Sequence, residues 1–68
     1  MDFVVEGEAV IPIEVKHATM NRPRMPSELR AFIQSYHPPM GVVVTRDFTH
    51  EVELNGSRVL FIPACLIA

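Results

Sequence analysis

Residues 10–16 constrain the fold of this chain more than any other stretch, because an apolar strand pattern there acquires an acid and a base. The odd positions carry β-branched apolar side chains, at Ile11, Ile13 and Val15. A strand turns alternate side chains to opposite faces, so Glu14 and Lys16 share the other face. We expect the apolar set to face the core and any chemistry to take place on the face of Glu14 and Lys16.

A second apolar strand precedes this one, and the turn at residues 6–8 is expected to bring the two together as an antiparallel hairpin. Two registers are open, with Asp2 opposite either Ile13 or Glu14. Core matching favours the second register, because it gathers the apolar residues of both strands on one face. That register also turns Asp2 to the face of Glu14. The sequence therefore predicts a cluster of Asp2, Glu14 and Lys16.

Composition sets the broad class of protein. Sixty-eight residues, 49% hydrophobic and 21% charged, describe a single globular domain over residues 1–68. The longest apolar run is too short to cross a bilayer, and the first residues do not resemble a signal peptide. A single cysteine, Cys65, cannot build a disulfide framework. We expect a cytoplasmic protein with no membrane partner, and its net charge of -2 gives no general support for binding nucleic acid.

One helix is predicted after a proline-containing loop over residues 17–26. Ser27 is the expected N-cap, and Pro38 ends the helix. The apolar positions have the spacing i, i+3, i+4 and i+7 and are expected in the core, at Leu29, Phe32, Ile33 and Tyr36. A helix between two strands predicts that those strands are parallel.

The rest of the chain predicts three more strands, over residues 42–45, 51–54 and 57–62. The first is a continuous β-branched run, which is typical of a strand covered on both faces. Asn55 and Gly56 join the other two as a hairpin. Residues 64–68 are expected to form a short helical turn. The fold class is therefore α/β, with a mixed α+β sheet built from a β-hairpin, a helix, a parallel β-strand and a C-terminal hairpin strand.

Several of these phrases resemble a known family. Asp2, followed after eleven residues by Glu14-Val15-Lys16, is similar to the PD-(D/E)xK signature of restriction-endonuclease-like enzymes. Five phrases resemble, in order, the C-terminal nuclease-like domain of a family of bacterial and archaeal AAA-type ATPases, at residues 2–5, 11–16, 29–32, 41–46 and 59–64. The resemblance implies a truncated restriction-endonuclease-like core that lacks the usual first helix and strand. No Gly-x-x-x-x-Gly-Lys phosphate loop occurs in the sequence, so we expect no ATP binding by this chain.

The resemblance also implies a chemistry for the predicted cluster. Asp2 and Glu14 would hold Mg²⁺ through carboxylate oxygens, with water and substrate phosphate as the remaining ligands. Lys16 would orient the attacking water or stabilise the phosphate in phosphodiester cleavage. The alternative from spacing alone is that all three residues form the solvated side of a sheet, with a weak Glu14–Lys16 ion pair.

Two functions follow from these alternatives. The first is a metal-dependent nuclease acting on nucleic acid through Asp2, Glu14 and Lys16. The second is a non-catalytic interaction or oligomerisation module on the same scaffold. The strand at residues 2–6 is expected to be an open apolar edge, so we expect a homo-oligomer with this strand in or near the interface.

The remaining polar candidates have weaker support from the sequence. His17 points away from the predicted cluster if the strand continues, and the three histidines show no metal-ligand spacing. Arg22 and Arg24 lie in a loop, where they either contact phosphates or are solvated. Cys65 has apolar neighbours and is expected to be a small core residue.

Overall fold

The structure is a computed structural model that describes residues 2–7, 9–16, 19 and 21–66, with the backbone alone at residues 4–6. The elements in chain order are β1 (Asp2–Glu6), β2 (Ala9–Val15), α1 (Ser27–Tyr36), β3 (Met40–Thr45), β4 (His50–Leu54), β5 (Ser57–Pro63) and the 3₁₀ turn η1 (Ala64–Leu66). The strands form one sheet in the order β1-β2-β3-β5-β4. The predicted α/β class, with a mixed sheet and one main helix, is confirmed.

The hairpin of β1 and β2 has a different register from the predicted one. Glu6 pairs with Ala9, so the connection has two residues, and Gly7 adopts the positive φ of 62° that such tight turns need. The predicted register would have required a longer connection, with Glu6 opposite Val10. Asp2 consequently lies opposite Ile13. The prediction that Asp2 lies opposite Glu14 is wrong.

The hairpin of β4 and β5 forms at the predicted turn. Asn55 and Gly56 have φ values of 51° and 83°, the left-handed conformations that a two-residue hairpin turn requires. Leu54 pairs with Ser57 on either side of the turn, and the strands are antiparallel. The sequence predicts this turn well because few residue pairs adopt positive φ in succession without strain.

The centre of the sheet is parallel, with β3 pairing in parallel with β2 on one side and with β5 on the other. Pro12 lies within β2, although proline cannot donate a hydrogen bond to a neighbouring strand. The ladder between β2 and β3 begins one residue later, where Ile13 pairs with Val42. Pro12 is therefore placed where no donor to β3 is needed, and its ring is almost completely buried.

The helix α1 begins at Ser27, and its N-cap is Pro26, with no side-chain hydrogen bond at that cap. The prediction that Ser27 caps the helix is wrong by one residue, because the Pro26 carbonyl already accepts the first helical hydrogen bond, from the Arg30 amide at 3.0 Å. His37 ends the helix in the left-handed conformation, with φ of 50°. Tyr36 is 71% exposed, so its predicted place in the core is also wrong.

The core lies between α1 and one face of the sheet. Its fully buried apolar residues are Leu29, Ile33, Val43, Val59 and Phe61. Gly41 lies beneath α1, where a Cβ atom would be 3.4 Å from Leu29 Cδ1, an ordinary van der Waals contact. Residues that lie opposite each other on adjacent strands point to the same face of the sheet. Glu14 of β2 lies opposite Val43, so this face also carries Glu14 and, two residues before it, Pro12. The apolar residues of β2 that were expected in this core instead occupy the opposite face.

Candidate functional site

Glu14 and Lys16 lie at the carboxyl end of β2, on the face that α1 covers. Glu14 is level with Val43 of the neighbouring strand, and its side chain is only 12% exposed. Lys16 Nζ lies 3.7 Å from Glu14 Oε1, and the Lys16 amide donates a 2.8 Å hydrogen bond to the Val44 carbonyl. The sheet thus fixes the backbone of this pair, while the half-exposed lysine head makes a long ion pair that contributes little stability.

Asp2 does not join this pair. It lies opposite Ile13 on the neighbouring strand, so its side chain shares the face of Ile13. Glu14 is the next residue along the same strand and points to the other face. The structure therefore brings Glu14 and Lys16 together and leaves Asp2 on the opposite side of the sheet. The physical cause is the one-residue difference in register, which exchanges the two faces of β1.

This separation bears directly on metal binding. One Mg²⁺ ion holds its oxygen ligands at about 2.1 Å, so two ligating carboxylates must share a face and a pocket. Asp2 and Glu14 do not, and no cluster of three or more His, Cys, Asp or Glu suited to a metal occurs among the residues that the structure describes. The register thus places the two carboxylates on opposite faces of the hairpin, and the Mg²⁺ site expected at Asp2 and Glu14 stays a prediction.

Arg22, Arg24 and Cys65 lie outside the strands of the sheet. Arg22 and Arg24 are exposed in the loop before α1. Cys65 is also exposed, so the prediction of a core cysteine is wrong; it lies in η1, past the end of the sheet. His17 lies outside the described residues.

The face of the sheet opposite α1 is apolar. We call it the open face and define it by eight residues, Ile11, Ile13, Val15, Met40, Val42, Val44, Leu60 and Ile62. Two rows cross its three central strands in register, Val15-Val44-Ile62 and Ile13-Val42-Leu60. Val44 is buried and Val15 is 43% exposed, and the other six are half-buried. No α-helix among the described residues packs on this face.

Charged residues border the open face on both sides. Asp2 continues the row of Ile13 at the β1 edge, and Glu51 continues the row of Leu60 at the β4 edge. Glu53 and Arg58 pair with each other in the next row, and Arg58 Nε lies 3.2 Å from Glu51 Oε2. Three acids and one base give these border residues a net charge of -2, so both sides of the apolar surface border on negative charge.

A second apolar surface lies on the helix side, at the start of β2. A cavity of about 650 Å³ opens there between the hairpin of β1 and β2 and the end of α1. Phe3 packs on Phe32, whose ring lies 4.7 Å from that of Tyr36. Phe3 is 50% exposed, so α1 covers the middle of the sheet more completely than its β1 side. β1 is an edge strand, as the sequence predicted, and the homo-oligomer expected from that edge stays a prediction.

The open face is the feature that reading the sequence missed. One signal was present: the continuous run Val42-Val43-Val44 is typical of a strand with apolar surroundings on both faces. The alternation of apolar and polar residues along β2 does not determine which face of the sheet a helix covers. From the sequence, the face of Ile13 was predicted to be the covered one. Pro12 and Gly41 lie on the face that α1 covers, and both are buried there.

No family model matches the chain, and comparisons with curated proteins and with solved structures found no similar one. The resemblance to nuclease-like domains of AAA-type ATPases therefore stays a prediction from the quoted phrases. Among the described residues, no helix is long and apolar enough to cross a membrane.

Proposed function

We propose that this chain is a non-catalytic interaction module whose contact surface is the open face. One observation carries the proposal, the unequal cover of the two faces. Val43, Val59 and Phe61 are fully buried beneath α1, whereas Val42, Leu60 and most of their neighbours on the open face are only half-buried. Sheets made only of parallel strands are almost always covered on both faces, and the three central strands of this mixed sheet are parallel. A partner that adds the second layer would complete the arrangement that the parallel centre favours.

Metal-dependent phosphodiester cleavage, which the family resemblance implies for Asp2, Glu14 and Lys16, has less support. The register separates the two carboxylates onto opposite faces, and the Glu14–Lys16 pair alone gives one acidic ligand. A nucleic-acid partner is also disfavoured at the open face, because the charged residues on its border are net acidic and would repel phosphates.

The proposal is tested by placing a charge on each face in turn. Val42→Lys, on the open face, should fold with a free energy of unfolding within about 1 kcal/mol of the native value, because the ammonium group reaches water. Val43→Lys, the next residue, should not fold, because burying an ammonium group beneath α1 costs several kcal/mol, more than its attraction to Glu14 on the neighbouring strand returns. That cost matches the roughly 3–5 kcal/mol that a domain of this size has available. Urea denaturation followed by circular dichroism measures both.

The same samples distinguish the two functions. The native chain should bind a hydrophobic dye several times more strongly than Val42→Lys, and neither should nick plasmid DNA with Mg²⁺ or Mn²⁺. If Val42→Lys unfolds as Val43→Lys does, the chain itself buries the open face and the proposal is wrong. Metal-dependent nicking that disappears in a folded Lys16→Ala variant would support the nuclease instead.

A further inference from the structure

The open face has the dimensions of a site for one helix. Its three central strands span two strand spacings, about 10 Å, which equals the diameter of one α-helix with its side chains. Along β2, the distance from Ile11 to Val15 is about 13 Å at the rise of a strand. A helix covers that length with about nine residues. The same sheet already accommodates a helix of this size on its other face, the ten-residue α1.

The charges on the border indicate what such a helix carries beside its apolar side. Asp2 flanks the open face at the β1 edge, and Glu51 and Glu53 flank it at the β4 edge, where Arg58 offsets one of the two. A helix lying along the three central strands would therefore have negative charge on both sides. Lysine or arginine residues that flank its apolar stripe would be attracted to both edges.

The same charges disfavour a second copy of this chain on the open face. Two sheets packed face to face with aligned strands and two-fold symmetry offer two arrangements. One places the β1 edge over the β4 edge of the other copy, so that Asp2 approaches Glu51. The other places the two β1 edges together, so that Asp2 approaches its own equivalent. Acidic groups meet in both arrangements, and like charges at an interface are unfavourable.

We propose that the open face binds a basic amphipathic helix of about three turns from another polypeptide segment, with its apolar stripe on Ile13, Val42 and Leu60 and its basic flanks toward Asp2 and Glu53. This inference rests on the proposed function, since it names the class of partner for the same surface. The binding mode is that of a helix in an apolar groove, where apolar anchors recur at i, i+3, i+4 and i+7.

The test uses two synthetic peptides of fourteen residues with capped ends and one shared leucine stripe. Lysine flanks the stripe in the first peptide, and glutamate replaces each lysine in the second. At low salt the lysine peptide should bind at least about tenfold more tightly, by fluorescence anisotropy, and this difference should shrink at 0.5 M salt as screening increases. Amide NMR shifts should change in β2, β3 and β5, and Leu60→Lys should weaken binding at least about tenfold.

A matched pair of charge reversals tests the role of the border. Asp2→Lys should lower the affinity for the lysine peptide about threefold or more and raise the affinity for the glutamate peptide. Glu28→Lys makes the same change of charge in the first turn of α1, on the other side of the sheet, and should change neither affinity.

Three results would overturn the inference. They are equal affinity for the two peptides, binding that Leu60→Lys does not weaken, and a dimer of the native chain that Leu60→Lys dissociates. The dimer would show that a second copy of the chain binds the open face. The proposed interaction function would remain, and only the helical partner would be wrong. Loss of folding in Val42→Lys would instead remove the proposed function itself, so the two failures are distinguishable.

Discussion

The two faces of this sheet have nearly the same amino-acid chemistry and very different surroundings. Val42 and Val43 are identical side chains on one strand, yet Val43 is fully buried and Val42 is half-buried. The difference comes from α1, which covers one face only. Hydrophobic residues stabilise a fold in proportion to the apolar area removed from water, so the covered face supplies most of the stability. The open face keeps more of its apolar area in contact with water, and this is the area that the proposed partner would cover.

Truncating side chains at two neighbouring positions, one on each face, should give the largest difference in loss of stability. Phe61→Ala removes a fully buried ring from beneath α1, which should cost about 3–5 kcal/mol and leave the chain largely unfolded. Ile62→Ala, on the open face, should cost less, about 1–2 kcal/mol, because its side chain is only half-buried and removes less apolar area from water than Phe61 does.

Thermal unfolding followed by circular dichroism measures both variants, and each kcal/mol should lower Tm by about 4–8 °C in a chain of this size. An equal loss of stability in the two variants would contradict the conclusion that α1 covers one face more completely than the other is covered. That outcome would mean that α1 contributes no more to the core than the surroundings of Ile62 do.

A smaller difference in the free energy of unfolding should separate two further variants, one that removes a hydroxyl from the covered face and one that adds a hydroxyl to the open face. Thr45 is buried, its hydroxyl accepts a 2.9 Å hydrogen bond from the Phe48 amide, and it donates to the Phe48 carbonyl at 2.9 Å. Thr45→Val leaves those backbone groups without this partner and should cost about 1–2 kcal/mol. Val42→Thr places a hydroxyl where water can reach it and should cost about 0.5 kcal/mol or less.

Urea unfolding gives both free energies, and the sign of their difference is the result to compare. If Val42→Thr is the more destabilising change, water has less access to the open face than the exposed fraction of its side chains indicates. The hydrogen bonds of Thr45 would then matter less than the burial of Val42.

The sequence predicted the elements of this fold because their signals are local. Asn55-Gly56 forces positive φ at two successive residues, and the spacing of Leu29 and Ile33 matches one side of a helix. Local sterics and periodicity settle such features without knowledge of the rest of the chain. The existence of the helix, of both hairpins and of the parallel pairing between β2 and β3 could therefore be predicted.

The candidate site could not be predicted in the same way, because it depends on register and on the choice of a face. A one-residue change in the turn at Gly7 moves Asp2 from one face of the sheet to the other. The choice of face for α1 depends on packing across distant strands, through Gly41, Val59 and Phe61, which alternation along β2 does not report. Both errors concern tertiary structure: the register decides the face on which Asp2 lies, and the position of α1 decides that the apolar residues of β2 lie on the open face and not in the core.

The smallest expected effect is an absence of coupling between the two carboxylates that the sequence had placed together. Asp2 shares the open face with Ile13, and Glu14 lies on the covered face beside Lys16. A single divalent ion would need oxygens of both carboxylates within about 4 Å of each other, since each ligates at about 2.1 Å. Opposite faces of a strand do not allow that, so the two side chains should respond to Mn²⁺ independently.

A double-mutant cycle with Asp2→Asn and Glu14→Gln measures this independence. Paramagnetic broadening of amide signals near Glu14 during a Mn²⁺ titration should be the same in the native chain and in Asp2→Asn, and the effects of the two substitutions on Mn²⁺ affinity should add. A coupling larger than about 0.5 kcal/mol between two separated sites requires a shared partner. Such a value would mean that one ion bridges the carboxylates in solution, in the alternative register of β1 that places Asp2 opposite Glu14, and the two faces of the sheet would then not be fixed.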